Sequence, residues 1–319
     1  LEEEKRDNMN TDILNVVFSS DNNYAQHMGV VIYSLLKFNS DFSEINLFII
    51  DNNILEDNKK RLTQVASKFD NAAIVWIPFE RWKEKLKVQM DYWTISISAY
   101  ARLFVGSMLG ESVERVLYLD CDMLIQRSLK ELWKTSLDEY VVAAVQDAVG
   151  DATKSGVGLS ADERYFNSGM LLINLRKWRE LGIEQKCLKF IKEKDGNVLH
   201  HDQGVLNGVL KGKWFRLPIE NNLMTINYIF DRERLISWSG EHAGFYSAKE
   251  ISKAIESPVI LHYTPSFTSR PWCKGCVHPL RNLYWRYLSE TPWHGEKPVK
   301  SNDKWYVRLI NWKYRHFYK

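Results

Sequence analysis

The sequence predicts an α/β fold with a parallel sheet, and three observations support it. Short apolar runs alternate with longer segments of 3.6-residue periodicity. The runs are continuously apolar, as strands covered on both faces tend to be. Several end in polar clusters, where open α/β sheets bind ligands.

Ile13 to Phe18 is the first such run and closes on the turn-prone Ser19-Ser-Asp-Asn-Asn-Tyr24. A helix follows from Ala25 to Phe38, with Met28, Val31, Leu35 and Phe38 on one face. Ile45 to Ile50 is a buried strand, and Glu56 to Phe69 a helix carrying Leu62, Val65 and Phe69. Ala72 to Ile77 is a third strand, stopped by Pro78. A helix over Ser96 to Leu109 leads into the strand Val116 to Leu119, and Met123 to Ile125 is a further apolar run. Tyr140 to Val145 is another strand. The polar loop after it, Ala148 to Ser160, has the length and composition of a lid or acceptor-binding segment. Met170 to Asn174 is a strand, Trp178 to Lys192 and Asp202 to Leu210 are helices, and Val259 to Tyr263 is the last strand of the sheet.

Composition sets outer bounds. A chain of 319 residues, 45% hydrophobic and 26% charged, is an ordinary globular protein of one to three domains. A net charge of +3 is too small to argue for nucleic acid. The 12 Trp, 15 Tyr and 14 Phe suit carbohydrate or nucleobase stacking, or large cores. No apolar run is long enough to span a bilayer, and no signal peptide is evident, so a cytoplasmic setting is expected. Residues 1–12 read as a disordered or non-native leader. Cys273-Lys-Gly-Cys276 with His278 lacks the second ligand pair that a structural zinc needs.

Asp120-Cys-Asp122 carries the first chemical signal. Alternate residues of an extended chain point the same way, so the two carboxylates can converge. Unpaired, they would repel each other and resist desolvation; a divalent cation with a taste for oxygen, Mg2+ or Mn2+, removes both costs. Two solvated acids in a strand-end loop are an equal alternative. His262 ends the last strand and can complete the metal shell, or be a satisfied buried histidine. The final run Lys304 to Lys319 holds five Lys or Arg and no acid, interleaved with aromatics. It suits an anionic membrane surface, or a helix packed on the domain or a partner.

Six ordered motifs make the chain resemble glycosyltransferase family 8, the retaining transferases that include bacterial lipopolysaccharide galactosyl- and glucosyltransferases and, more distantly, glycogenin. They are Phe18-Ser-Ser-Asp-Asn-Asn-Tyr24, Ser98-Ala-Tyr-Ala-Arg-Leu103, Val116-Leu-Tyr-Leu-Asp-Cys-Asp122, Tyr165-Phe-Asn-Ser-Gly-Met-Leu-Leu-Ile-Asn174, His201-Asp-Gln-Gly-Val-Leu-Asn207 and Leu261-His-Tyr263. The resemblance spans about Ile13 to Trp272. It implies a GT-A type nucleotide-sugar-binding (Rossmann-like) mixed sheet flanked by helices. The catalytic domain would cover residues 13–265. Residues 266–319 would form a C-terminal extension: a diphosphate clamp, then a basic aromatic helical tail.

It further implies a UDP-sugar donor and Mn2+, with Mg2+ possible, held by Asp120, Asp122 and His262. Asp21, Asn23 and Tyr24 would hold uracil and ribose. Arg102 would contact the donor sugar side, and Asn167, Asp202 and Gln203 would line the sugar, Gln203 nearest the anomeric carbon. Two positions depart from the family. Gly204 stands where many members carry a second Asp, and Arg270 where a Lys clamps the diphosphate. Arg can take that role bidentately.

A retaining hydrolase would need a carboxylate nucleophile under the anomeric carbon. Gln203 is a poor nucleophile, so front-face transfer is expected, the departing phosphate oxygen accepting the acceptor proton; Asp202 as a transient nucleophile is the lesser option. The expected donor is UDP-galactose ahead of UDP-glucose. The expected acceptor is a glycan on a lipid, a wall polymer or a glycoprotein, reached from the inner face of the membrane. A metal-dependent nucleotidyltransferase would be expected to carry a glycine-rich basic loop after the first strand, and Ser19 to Tyr24 is neither. A carbohydrate-binding module fits the aromatics but not two desolvated acids.

Overall fold

The structure, a computed structural model, describes residues 12–88, 96–240, 244–265, 268–301, 309 and 312. The expected leader up to residue 11 and the basic tail, apart from Leu309 and Trp312, lie outside the described residues.

Strand β1 (Ile13–Asp21) pairs in parallel with β2 (Glu44–Asn52), and β2 with β3 (Ala72–Pro78). Helices α1 (Ala25–Phe38) and α2 (Glu56–Ala66) make the crossovers. On the other side β1 pairs in parallel with β4 (Arg115–Leu119). Strand alternation sorts these residues between two cores. Leu14, Val16, Phe18, Leu117 and Leu119 join α1 and α2 in one, while Val17, Val116 and Tyr118 join Tyr100 and Phe104 in the other. The sheet is therefore covered on both faces, which is why its runs are continuously apolar.

Beyond β4 the parallel pattern read from the apolar runs ends, and the sheet becomes mixed, as the resemblance implies. Strand β7 (Met170–Asn174) runs antiparallel to both β4 and β6 (Val142–Ala144), giving a seven-stranded mixed sheet in the order β3-β2-β1-β4-β7-β6-β8, with β8 at Trp214–Arg216. The reversal sets the start of β7 beside the end of β4, where the Asp120 N–H donates to the Gly169 carbonyl at 2.8 Å. A parallel β7 would have carried its first residues to the opposite edge.

The last strand also differs from expectation. Strand β10 (Ile260–His262) leaves the main sheet for a three-stranded one, between β5 (Met123–Ile125) and β9 (Leu223–Met224). Antiparallel pairing of His262 with Met123 lays the histidine next to Asp122, whose carbonyl accepts the Tyr263 N–H at 2.8 Å.

Smaller corrections have local causes. β1 continues through Asp21 because Asp21 still pairs with Asn52. The segment expected as one helix over Ser96 to Leu109 is a 3-10 helix (Ile97–Phe104) followed by one α-turn. The loop after β6 contains helix α3 (Asp151–Gly156). The helix expected over Trp178 to Lys192 is two, α4 (Leu175–Glu180) and α5 (Ile183–Glu193), divided at Gly182 with φ +58°. Helix α6 (His201–Val209) follows, then α7 (Arg232–Ser239), α8 (Ala248–Glu256) and α9 (Arg281–Leu288).

The segment after residue 268 packs on the same core as β1. The His27 ring stacks on Trp272 at 3.7 Å between centroids, and His27 Nδ1 lies 2.7 Å from the Tyr284 hydroxyl. Trp293 presses on Gly29, where a Cβ would stand 2.4 Å from its ring. Cys273 and Cys276 bracket a turn there. Among the described residues, the group with metal-ligand spacing is Asp120, Asp122 and His262.

Candidate active site

The ends of β1 and β4, the start of β7, the first turn of α6 and Arg270 converge on a cleft of about 730 Å3. That is the size of a small-molecule site. A shallow basin of about 740 Å3 beside Arg61 and Pro292 gathers no comparable constellation.

Asp120, Asp122 and His262 each offer a ligand atom, all within 4.8 Å of one another. Hydrogen bonds fix which imidazole nitrogen faces the acids. The Gly169 N–H donates to Asn167 Oδ1 at 3.0 Å, so that atom is an acceptor. The Asn222 amide donates to the same oxygen at 2.9 Å, which turns Asn222 Oδ1 toward His262 Nδ1, also at 2.9 Å. Nδ1 therefore carries a hydrogen, and Nε2 is the ring nitrogen that faces Asp122 Oδ1, 3.2 Å away. Nε2 is thus the imidazole atom placed to join the two carboxylates around a cation. Gly169 leaves the room: a Cβ there would lie 2.5 Å from His262 Cε1 and 2.8 Å from Asp120 Oδ2. The donor set of two carboxylates and one imidazole fits Mn2+, with Mg2+ second.

Two guanidinium groups flank the acids. Arg102, 3% exposed, bonds Asp120 Oδ1 at 2.6 Å and Asp202 Oδ2 at 3.0 Å, and sits 4.4 Å over the Tyr118 ring. Arg270 Nε bonds Asp122 Oδ2 at 2.9 Å and lies 5.7 Å over Tyr24. Burial pushes the Asp120 carboxyl up to about 6 against the pull of Arg102. Burial opposes Asp122 ionisation too, but His262 and Arg270 outweigh it and hold that carboxyl well below the usual range. Three carboxylates thus face two fixed cations, leaving capacity for a divalent ion and an anionic ligand.

Each residue marked out by the sequence has a definite place. Asp21 Oδ1 accepts the Asn23 N–H at 2.9 Å, and its Oδ2 accepts the Ser96 hydroxyl at 2.8 Å. Asp21, Asn23 and Tyr24 line one end of the cleft; Asp202 and Gln203 line the other. Asn167, at 7% exposure, bonds Asp147 and Gln203 at 3.2 and 3.1 Å. Gln203 Nε2 in turn bonds Asp147 Oδ2 at 3.2 Å, so the amide is held from both ends. Arg102 lines the cleft as well and pairs two of its acids.

Sequence reasoning missed Gly169, Asn222 and Asp147 as members of this site. Asp147 was legible, since it is the first acid past the apolar run Tyr140 to Val145, as Asp120 is past Val116 to Leu119. Asn222 carried no signal, because only the second sheet brings it to His262.

The pattern shared by glycosyl transferase family 8 matches residues 15–276. The chain belongs to glycosyl transferase family 8. Among family relatives it is 32% identical over 287 residues to General stress protein A of Bacillus subtilis, covering 89% of this chain and 96% of that protein. Lipopolysaccharide 1,2-glucosyltransferase of Escherichia coli is 28% identical over 316 residues, or 97% and 86% of the two chains. The crystal structure of the galactosyltransferase LgtC with donor and acceptor sugar analogues superposes with a TM-score of 0.71 at 26% identity, over 88% of this chain and 96% of that one. The fold is thus that of the GT-A glycosyltransferases, and the chain is a glycosyltransferase.

Proposed function

We propose that this family 8 enzyme transfers a hexose, galactose ahead of glucose, from a UDP-sugar to a glycan acceptor with retention of anomeric configuration. The observation that carries the reading is the cation-ready set Asp120, Asp122 and His262, closed by Arg270 and opening onto one cleft with Asp21 and Gln203. Asp21, Asn23 and Tyr24 bind uracil and ribose. Asp120, Asp122 and His262 would hold Mn2+, which when bound supplies Lewis-acid stabilisation of the diphosphate leaving group. Arg270 adds a second fixed positive charge for that diphosphate.

The sugar then rests against Asp202 and Gln203. Asp202 is engaged by Arg102 and the Ser168 hydroxyl, at 3.0 and 3.2 Å, which ties it down as a positioning group. The Gln203 amide, braced by Asp147 and Asn167, presents a neutral dipole to the anomeric centre. Transfer on the front face follows, the departing phosphate oxygen taking the acceptor proton. The acceptor is a glycan on a lipid, a wall polymer or a glycoprotein. No helix among the described residues is long and apolar enough to cross a membrane. Peripheral contact with anionic lipid at the inner membrane face through the basic tail is part of the proposal.

The test is Mn2+-dependent hydrolysis across a panel of UDP-sugars, with melting temperature followed in parallel. UDP plus Mn2+ is expected to raise the melting temperature of the wild type and leave Asp122→Ala unchanged. No shift in the wild type, or an equal shift in Asp122→Ala, overturns the reading.

A further inference from the structure

Helix α6 begins in an unusual way. His200 and His201 both adopt left-handed backbone, with φ of +60° and +53°. Non-glycine residues pay for that conformation, on the order of 1–2 kcal/mol each, so two in succession need a structural reason. Gly204 supplies part of it. A Cβ at 204 would stand 1.9 Å from the Leu199 carbonyl oxygen and 3.0 Å from Val198, and the Gly204 N–H donates to the His200 carbonyl at 3.2 Å. The 198–201 turn fills the volume that a side chain at 204 would take. The glycine that departs from the family pattern is thus matched to a turn that brings another side chain forward.

That side chain is His200. It lines the cleft together with Ser168, Asp202 and Gln203. Its Nδ1 lies 3.4 Å from the hydroxyl of the fully buried Tyr165, whose ring meets the imidazole edge-on at 5.9 Å. Among the described residues Nε2 has no hydrogen-bond partner. Asp202 is 3% exposed, deep in the wall, whereas His200 and Leu199 stand exposed at the rim, Leu199 at 48%. A neutral imidazole offers one donor and one acceptor, which matches a sugar hydroxyl. A rim position suits the substrate that approaches from solvent rather than the donor sugar against the deep wall.

We propose that His200 is an acceptor-specificity residue, its Nε2 hydrogen-bonding a hydroxyl of the acceptor sugar beside Gln203. The inference rests on the glycosyltransferase reading above.

The test compares wild type, His200→Ala and His200→Gln with UDP-galactose or UDP-glucose, whichever the wild type hydrolyses. A panel of alkyl galactosides, glucosides and N-acetylglucosaminides serves as acceptors. Both replacements carry the same left-handed backbone cost, so their difference isolates the hydrogen-bonding group. His200→Ala is expected to raise acceptor KM about tenfold, the worth of one such bond. Hydrolysis of donor by water and donor KM should stay within about twofold of wild type. His200→Gln should regain most of the acceptor affinity. An unchanged acceptor KM in His200→Ala, hydrolysis falling in step with transfer, or no recovery in His200→Gln overturns the role of His200. Failure of wild type to hydrolyse any UDP-sugar overturns the proposed UDP-sugar donor, and this inference with it.

Discussion

Gly169 and Arg102 have the smallest and one of the largest side chains in the site, and both serve the same carboxylate. At Gly169 a methyl group would meet His262 Cε1 and Asp120 Oδ2 at 2.5 and 2.8 Å. Gly169→Ala is therefore expected to weaken Mn2+ binding by at least tenfold, read by calorimetric titration, while far-UV dichroism stays that of wild type. Arg102 is the countercharge for Asp120 and Asp202 at once. Arg102→Ala leaves the buried Asp202 and the half-buried Asp120 without it, and a stability loss of about 3 kcal/mol in urea unfolding is expected. Arg102→Lys should recover part of it, because an ammonium cannot fork to both acids. The sequence made Asp120, Asp122 and His262 legible through strand-end position and residue type. It could not show that Arg102 binds acids rather than solvent, because that requires knowing which strand lies beside β4.

At the scale of elements, periodicity located most strands and the segments of α1, α2 and α4 to α6, but not β8, β9, α3 or α7 to α9, and it failed where tertiary pairing outweighs local pattern. Met170 to Asn174 reads the same whether parallel or antiparallel, since both faces are buried. Ile260 to His262 was recognisable as a strand, but three residues carry no information on which sheet receives them. The C-terminal segment gives the clearest test. Trp293, 4% exposed, seats on Gly29 of α1, and Arg61 of α2 lies 5.8 Å over its ring. Trp293→Ala is expected to cost about 3–5 kcal/mol of global stability, seen as one cooperative transition at lower denaturant. A separate early transition confined to the C-terminal segment, with the remainder unchanged, would show that α9 and its flanks are an accessory layer.

Across the whole molecule, two histidines buried on the C-terminal segment side make stability depend on pH. Burial pushes His278 down to about 3, and burial together with the nearby Arg270 charge does the same to His27. His278 Nδ1 accepts the Leu280 N–H at 3.1 Å, its ring meets Tyr228 and Tyr263 edge-on, and its Nε2 is buried without a partner. Near pH 7 the folded chain leaves these rings unprotonated, and the unfolded chain protonates each only to about a quarter. Below the ordinary value of 6.5 the unfolded chain takes up protons that the folded one refuses, so stability falls as pH drops from 6.5 toward 3. The slope approaches about 1.4 kcal/mol per pH unit for each ring. Asp120 works in the opposite sense: its raised carboxyl lets the folded state bind a proton first, so acidification through about 6 relieves a cost. Wild-type stability alone therefore mixes opposing contributions, and a difference measurement separates them. His278→Asn can keep the acceptor for the Leu280 N–H through an Asx turn while removing the titrating ring. With chelator present, urea unfolding of the two proteins at pH 7, 6 and 5 should show the variant gaining on wild type as pH falls. The gain should approach about 1.4 kcal/mol per unit at the acid end. Parallel stability curves would mean that the folded protein protonates His278 as readily as the unfolded chain does, and that the buried imidazole is not held neutral.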